Sequence, residues 1–160
     1  GVEAALTWRP LPPVTTTVAY TYSASEFLDH LSLDGMSDFS GNQVPGVPEH
    51  TLYAALELDH DSGLFAALEG RYVGAFFADD ANQVRTDSYG VVDLRAGWRL
   101  ERGRLRVTPQ IGVNNLLDAD YVDNVRTDEQ ADVSSRIFEP APGIEVYGGL
   151  SVALTLGGAP

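Results

Sequence analysis

The feature that most constrains this chain is a period of two. In one segment after another, apolar side chains alternate with small or polar ones, as the two faces of a strand require and a helix does not. Val2, Ala4, Leu6 and Trp8 oppose Glu3, Ala5, Thr7 and Arg9, and Val14, Thr16, Val18, Tyr20 and Tyr22 oppose Thr15, Thr17, Ala19, Thr21 and Ser23. The same pattern runs through His50–Leu58, Leu64–Phe76, Val91–Leu100, Leu105–Asn114 and Ile144–Leu156. That makes roughly seven strands of about 8 to 14 residues, longer than the five or six usual in soluble domains.

The connections alternate too. Pro10–Pro13, Asp59–Ser62 and Glu101–Gly103 are short, and the prolines of the first place it outside a sheet interior. About Ala24–Val47, Ala78–Ser88 and Leu117–Pro142 are long and polar. An antiparallel up-and-down meander then has every tight turn at one end and every long loop at the other, the layout of a section of a transmembrane β-barrel. Trp8 and Trp98 fall near short turns, whereas Tyr20, Tyr22, Tyr72 and Phe76 fall toward the long loops. Ten residues of tilted strand rise about 25 Å, the height of an apolar membrane band, so the two groups predict two aromatic girdles.

Charge sorts along the same axis. With 23 acidic residues against 10 basic ones the formal net charge is −13, and every basic residue is Arg. Glu26, Asp29, Asp34 and Asp38 lie in the first long loop, and Asp79, Asp80 and Asp87 in the second. The third holds Asp118, Asp120, Asp123, Asp128, Glu129, Asp132 and Glu139, and only Arg85, Arg126 and Arg136 answer them. Such a balance argues against nucleic acid as a partner, because a phosphate backbone selects a basic face. The greasy strand faces carry no Asp, Glu or Arg, and an Arg there would cost about 2–4 kcal/mol at mid-bilayer. Outer-membrane lipid is the expected partner of that face.

No apolar run approaches the roughly 20 residues of a membrane helix. With no Cys there is no disulfide framework, thiolate metal site or Cys nucleophile. The opening residues read as neither a signal peptide nor a native start. Two alternatives stay open: a soluble β-sandwich binding module, whose inner faces also alternate, and a small complete outer-membrane barrel acting as an adhesin. The sandwich predicts an outer face rich in Lys and Glu, whereas the polar face here is loaded with Ala, Gly, Thr and Ser.

Four stretches in order resemble the end of TonB-dependent outer-membrane receptors. Gly41-Asn42-Gln43-Val44-Pro45-Gly46-Val47-Pro48-Glu49-His50 is similar to the family's G-N-x-x-P-G-V-P-x-H, and Gly112-Val113-Asn114-Asn115-Leu116-Leu117-Asp118-Ala119-Asp120-Tyr121 to its N-L-F/L-D-x-x-Y. Tyr89–Gly97 and Pro140–Leu150 fit its penultimate and final strand regions. The resemblance implies that 1–156 is the C-terminal portion of a barrel of about 22 strands filled by an N-terminal plug, with 157–160 a tail. It implies uptake of a scarce ligand, a metal chelate such as a ferric siderophore, or haem or cobalamin, across the outer membrane of a Gram-negative bacterium. TonB would act through a plug and TonB box that have no counterpart in these residues, so the section alone is not expected to transport. One departure stands: the family usually ends its last strand on an aromatic residue that assists assembly, whereas here Leu154-Thr155-Leu156 leads into Gly157-Gly158-Ala159-Pro160.

Candidate site residues follow from the polar face. Glu57, Glu69, Arg71, Asp93, Arg95, Arg99, Arg106, Gln110 and Glu145 read mainly as ion pairs of a barrel wall, with Arg99 and Arg106 flanking a short turn. Tyr53, Arg71, Arg95 and Tyr147 are the candidates for contact with an anionic or aromatic ligand. Asp118, Asp120, Asp123 and Asp128 offer oxygen ligands without the Gly and closing Glu of an EF-hand loop. Asn114, Asn115 and Asp118 are expected to fix the chain where a strand leaves the membrane. His30, His50 and His60 share no metal-like spacing and suggest no catalytic triad, so neither an enzyme nor a cofactor is expected. Ser25–Leu33 is expected to form one or two turns of amphipathic helix.

Overall fold

A computed structural model describes residues 1–130 and 138–156. The strands are β1 (Val2–Leu11), β2 (Val14–Tyr22), β3 (His50–Asp59), β4 (Leu64–Val73), β5 (Tyr89–Trp98), β6 (Leu100–Arg102), β7 (Leu105–Asn114), β8 (Val122–Val125), β9 (Phe138–Pro140) and β10 (Glu145–Leu154). The long ones pair antiparallel in the order β1-β2-β3-β4-β5-β7-β10. β6 keeps the register of β5 against β7, with Gly97 opposite Gln110 and Leu100 opposite Val107, so the two are one strand interrupted at Arg99. The seven-strand meander is therefore as the alternation predicts. The β8–β9 ribbon inside the third long loop leaves no sign in the sequence, because four and three residues are too few to show a period.

Three tight turns close one end. Leu11 pairs with Val14 across Pro12-Pro13. The β3–β4 turn is a three-residue loop: Gly63 N donates to His60 O at 2.8 Å, His60 N donates to Leu64 O at 2.9 Å, and Gly63 takes φ +87°, the left-handed residue such a loop requires. Arg102 pairs with Leu105 around Gly103-Arg104, with positive φ at Gly103.

Two local expectations are corrected. β1 continues through Pro10 to Leu11, where a register shift between Trp8 and Leu11 accommodates the proline. Ser25–Leu33 forms no helix. It runs back against the rest of its loop, and its backbone N–H groups bond across that loop instead of to a helical carbonyl, with Phe27 N donating to Asn42 O, His30 N to Ser40 Oγ and Ser32 N to Ser37 O.

The sheet is a single layer, inside out relative to a soluble domain. Val2, Leu6, Trp8, Leu52, Leu56, Ile111, Leu150 and Leu154 are exposed on one face. The few buried strand residues, Ala55, Ala67, Val91 and Gly112, belong to the opposite, polar face. No second sheet covers the greasy side, so the sandwich alternative does not hold. Nor does the small complete barrel, since β1 and β10 each pair along one edge only among the described residues. Trp98, at the short-turn end, donates through Nε1 to Ser62 O at 2.8 Å. Of the sequence expectations, Asp132, Arg136 and the 157–160 tail lie outside the described residues.

Candidate functional site

Register decides which polar side chains meet. On the polar face of β3, β4 and β5, Tyr53 stands opposite Arg71, Ala55 opposite Glu69, and Glu69 opposite Asp93. Arg95 reaches Glu69 at 3.4 Å and Glu57 at 3.9 Å, and Tyr53 donates its hydroxyl to Glu69 at 3.2 Å. Tyr53 and Arg95 therefore share one carboxylate. All these side chains are substantially exposed, so the pairs hold geometry more than they stabilise the fold.

Tyr147 joins this group from the other side. It pairs with Gly112, and a Cβ at Gly112 would run into the Tyr147 ring, so the missing side chain lets the ring lie flat on the wall. Tyr147, Arg95, Glu69, Asp93 and Asn114 line a hollow of about 220 Å³.

Arg71 stands apart, toward the long loops. Its Nη2 donates to the Tyr121 hydroxyl at 3.0 Å, and its guanidinium lies 5.6 Å from the Tyr121 ring centroid. Tyr121 stacks on Tyr89 at 4.7 Å. Arg71, Tyr121, Asp93, Asn114, Asn115 and Glu145 border a second hollow of about 260 Å³. Tyr121 and Tyr89 were not among the sequence candidates, although Tyr121 closes the N-L-x-D-x-x-Y stretch.

The other polar candidates serve the wall. Arg99 pairs with Asp59 and lies over the Phe65 ring at 5.0 Å, while Arg106 pairs with Glu101 at 2.6 Å. Asp93 accepts from the backbone N of Asn115 at 2.8 Å, not from an Arg. Asn115 is buried with φ +49°; its Oδ1 accepts from Ala119 N at 2.8 Å and its Nδ2 donates to Ala119 O at 2.9 Å. Asp118 accepts from Ile144 N at 2.9 Å. Asn115 and Asp118 thus fix the exit of β7 as expected, and Asp118 ties the loop to the start of β10.

The long loops are knitted into one rim above the sheet. His30 Nε2 meets Asp80 Oδ2 at 2.8 Å while its ring stacks on Phe27 at 4.3 Å, and Asn42 Nδ2 donates to Asp80 O at 2.7 Å. Gln43 N donates to Asn82 Oδ1 at 2.7 Å and Asn82 Nδ2 to Gln43 O at 2.9 Å. Leu33 N donates to Glu129 Oε1 at 2.7 Å, joining the first loop to the third. Asp79 is fully buried, with Oδ1 accepting from Gln83 N and Val84 N at 2.9 Å each. Hydrogen bonds from Ser32 and Met36 N hold the Asp34 carboxyl below its ordinary value, and the Ser40 hydroxyl and backbone do the same for Asp38. Asn124 and Arg126 lower Glu139 across the β8–β9 ribbon. His60 bonds Ser62 within its turn, and among the described residues no three metal-capable side chains converge.

With this geometry in view, the likeness to known proteins is specific. Residues 1–116 match the family described as "TonB dependent receptor-like, beta-barrel". The chain is 33% identical over 129 residues to the ferrichrome outer membrane transporter/phage receptor of Escherichia coli (strain K12), over 76% of this chain and 16% of that protein. It is 29% identical over 124 residues to the pesticin receptor of Yersinia enterocolitica serotype O:8, over 76% of this chain and 17% of that protein. Among solved structures, the siderophore receptor PiuA from Acinetobacter baumannii superposes with a TM-score of 0.73 at 22% identity, over 94% of this chain and 21% of that one. The chain thus spans about a sixth of the length of the curated relatives it matches.

Proposed function

We propose, from the premise that this chain belongs to the TonB-dependent receptor-like β-barrel family, that it is one section of the wall and outer rim of a receptor that takes up a scarce metal chelate such as a ferric siderophore. It is an outer-membrane β-barrel section of a Gram-negative bacterium. In this reading the greasy face meets lipid, the polar face lines the lumen, and the knitted loops stand outside the cell. The plug and the contact with TonB belong to the rest of the receptor, and the section has no catalytic role.

The observation that carries the reading is the Arg71–Tyr121–Tyr89 cluster. It sits on the lumen face at the loop end, beside a hollow, where a ligand arriving from outside first meets the wall. A guanidinium with one N–H committed to a phenol keeps other donors for the oxygen atoms of an anionic chelate. The two stacked rings offer an apolar surface for a catecholate or an alkyl arm. Arg95 and Tyr147, deeper along the same face, form a second contact level for a ligand moving inward, while Tyr53 stands at the level of Arg71 and reaches down to Glu69, with haem or cobalamin as alternative cargo.

The test is binding of ferric siderophores of different chelating chemistry to the full-length receptor. Arg71→Gln removes a charge-assisted contact of about 1.5–3 kcal/mol, an affinity loss of about 10- to 100-fold for the cognate chelate. Unchanged affinity across every class of chelate would remove Arg71 from the site.

A further inference from the structure

On the outward face of β1–β4 the only basic side chain is His50, at the loop end of β3 and the last residue of the Gly41–His50 stretch. Register sets Val2, Tyr22 and His50 in one row, and Ala4, Tyr20, Leu52, Tyr72 and Gly90 in the next row inward. Gly74 extends the outer row, donating its N–H to His50 O at 2.8 Å and adding no side chain beside the imidazole. The Tyr20 hydroxyl meets His50 Nδ1 at 2.8 Å, and the Tyr22 ring lies 5.2 Å from the imidazole, tilted by 31°. Among the described residues, His50 Nε2 and the hydroxyls of Tyr22 and Tyr72 have no hydrogen-bond partner, although each belongs to an exposed side chain.

Two facts say what faces this patch. β2, β3 and β4 each pair on both edges, so no further strand can be added beside them, and their greasy outer face is the one that a barrel of this family turns to lipid. The two rows also hold no carboxylate, in a chain of net charge −13. Glu49, the adjacent acid, is held by the Gln43 amide at 2.6 Å.

The chemistry then selects a ligand. When the Tyr20 hydroxyl donates to Nδ1, the proton of the neutral imidazole is on Nε2, and the protonated ring carries one there as well. In those two states Nε2–H is a donor on the outer face at the loop end of the strands, flanked by two phenols that also donate.

We propose that His50, held by Tyr20 and flanked by Tyr22 and Tyr72, binds the phosphate of an outer-leaflet lipid headgroup on the outside of the barrel. This site is separate from the lumen and does not depend on what the receptor transports.

The test uses the full-length receptor in phosphatidylcholine nanodiscs doped with a glucosamine-disaccharide lipid, either phosphorylated or dephosphorylated. Lipid retained on the protein is counted by native mass spectrometry, and His50 is followed by its ¹⁵N imidazole resonances. The wild type should retain the phosphorylated form about fivefold over the other, as one charge-assisted hydrogen bond at a wet interface allows. His50→Phe keeps the aromatic surface and should bring the ratio to one, while His50→Gln keeps part of it. If His50→Phe does not insert, Tyr20→Phe should lower the ratio by freeing the imidazole. Equal retention of both lipids by the wild type, or one ratio shared by wild type and His50→Phe, would show an aromatic girdle without headgroup recognition. Inorganic phosphate that moves the His50 resonances as far as the phospholipid does would overturn the assignment to lipid.

Discussion

Asn115 offers the sharpest test of how the outer rim is held. Its side chain accepts from Ala119 N at 2.8 Å and donates to Ala119 O at 2.9 Å, with a longer bond to Pro142 O at 3.3 Å. Its backbone is left-handed at φ +49°, and the residue is 2% exposed, so water cannot replace what the side chain supplies. Asn115→Ala removes two good neutral hydrogen bonds, together about 2 kcal/mol. Placing Ala in the left-handed region adds about 1–2 kcal/mol, a penalty that Asn softens and Gly escapes. The total is about 3 kcal/mol, or roughly a hundredfold rise in the population of a locally opened third loop. Asn115→Gly should lose only the hydrogen bonds, about 2 kcal/mol and roughly thirtyfold. Native-state hydrogen exchange of the Ala119 and Ile144 amides in the detergent-solubilised full-length receptor reads both, with amides of β3 and β4 as the internal standard. If Ala119 exchanges at the wild-type rate in both variants, or if β3 and β4 accelerate equally, the loop is not anchored through Asn115.

Further outcomes follow from the same geometry. Gly112→Val should push the Tyr147 ring off the wall; loss of Tyr147 protection from aqueous fluorescence quenchers, with insertion into membranes unchanged, would be the readout. The Glu139 carboxyl is held below its ordinary value by Asn124 and Arg126. Its contribution to the β8–β9 ribbon is therefore complete above the ordinary carboxylate value and lost as pH falls through the lower folded value. Proteolytic nicking within β8 and β9 should rise only in that acidic window, and Glu139→Gln should abolish the pH dependence.

The strands were legible because their physics is local. A sheet with lipid on one side and water on the other imposes the period-two contrast residue by residue, and Leu6, Val18, Ala54, Gly70, Ala96 and Ile111 fall on one face both by counting and by register. The rim was less legible. Its stabilising contacts join residues such as His30 with Asp80 or Leu33 with Glu129, 50 and 96 positions apart, through side chains that any polar loop contains. Tyr121 shows the boundary within the site itself. It was visible as the end of a motif, yet its contact with Arg71 depends on the third loop folding back over β4, which no periodicity encodes.

Inverting the usual pattern of burial explains the composition of the polar face. In a soluble domain large apolar residues are buried because water is excluded from among them. In the proposed barrel the greasy side chains meet lipid and need no protein partner, so Leu, Ile and Trp stay exposed on the protein, and space becomes scarce on the other face. There Ala55, Ala67, Val91 and Gly112 are the buried residues of the strands, beside Glu57, Glu69 and Arg95. Small residues between charged ones let long side chains lie across their neighbours and reach partners one or two strands away, as Arg95 reaches Glu57 across β4. The abundance of Ala, Gly, Ser and Thr that argued against a soluble outer surface is thus the condition for a polar network on a wall one layer thick. Large side chains at those positions would prop the charged groups apart and leave the lumen without its ordered polar lining.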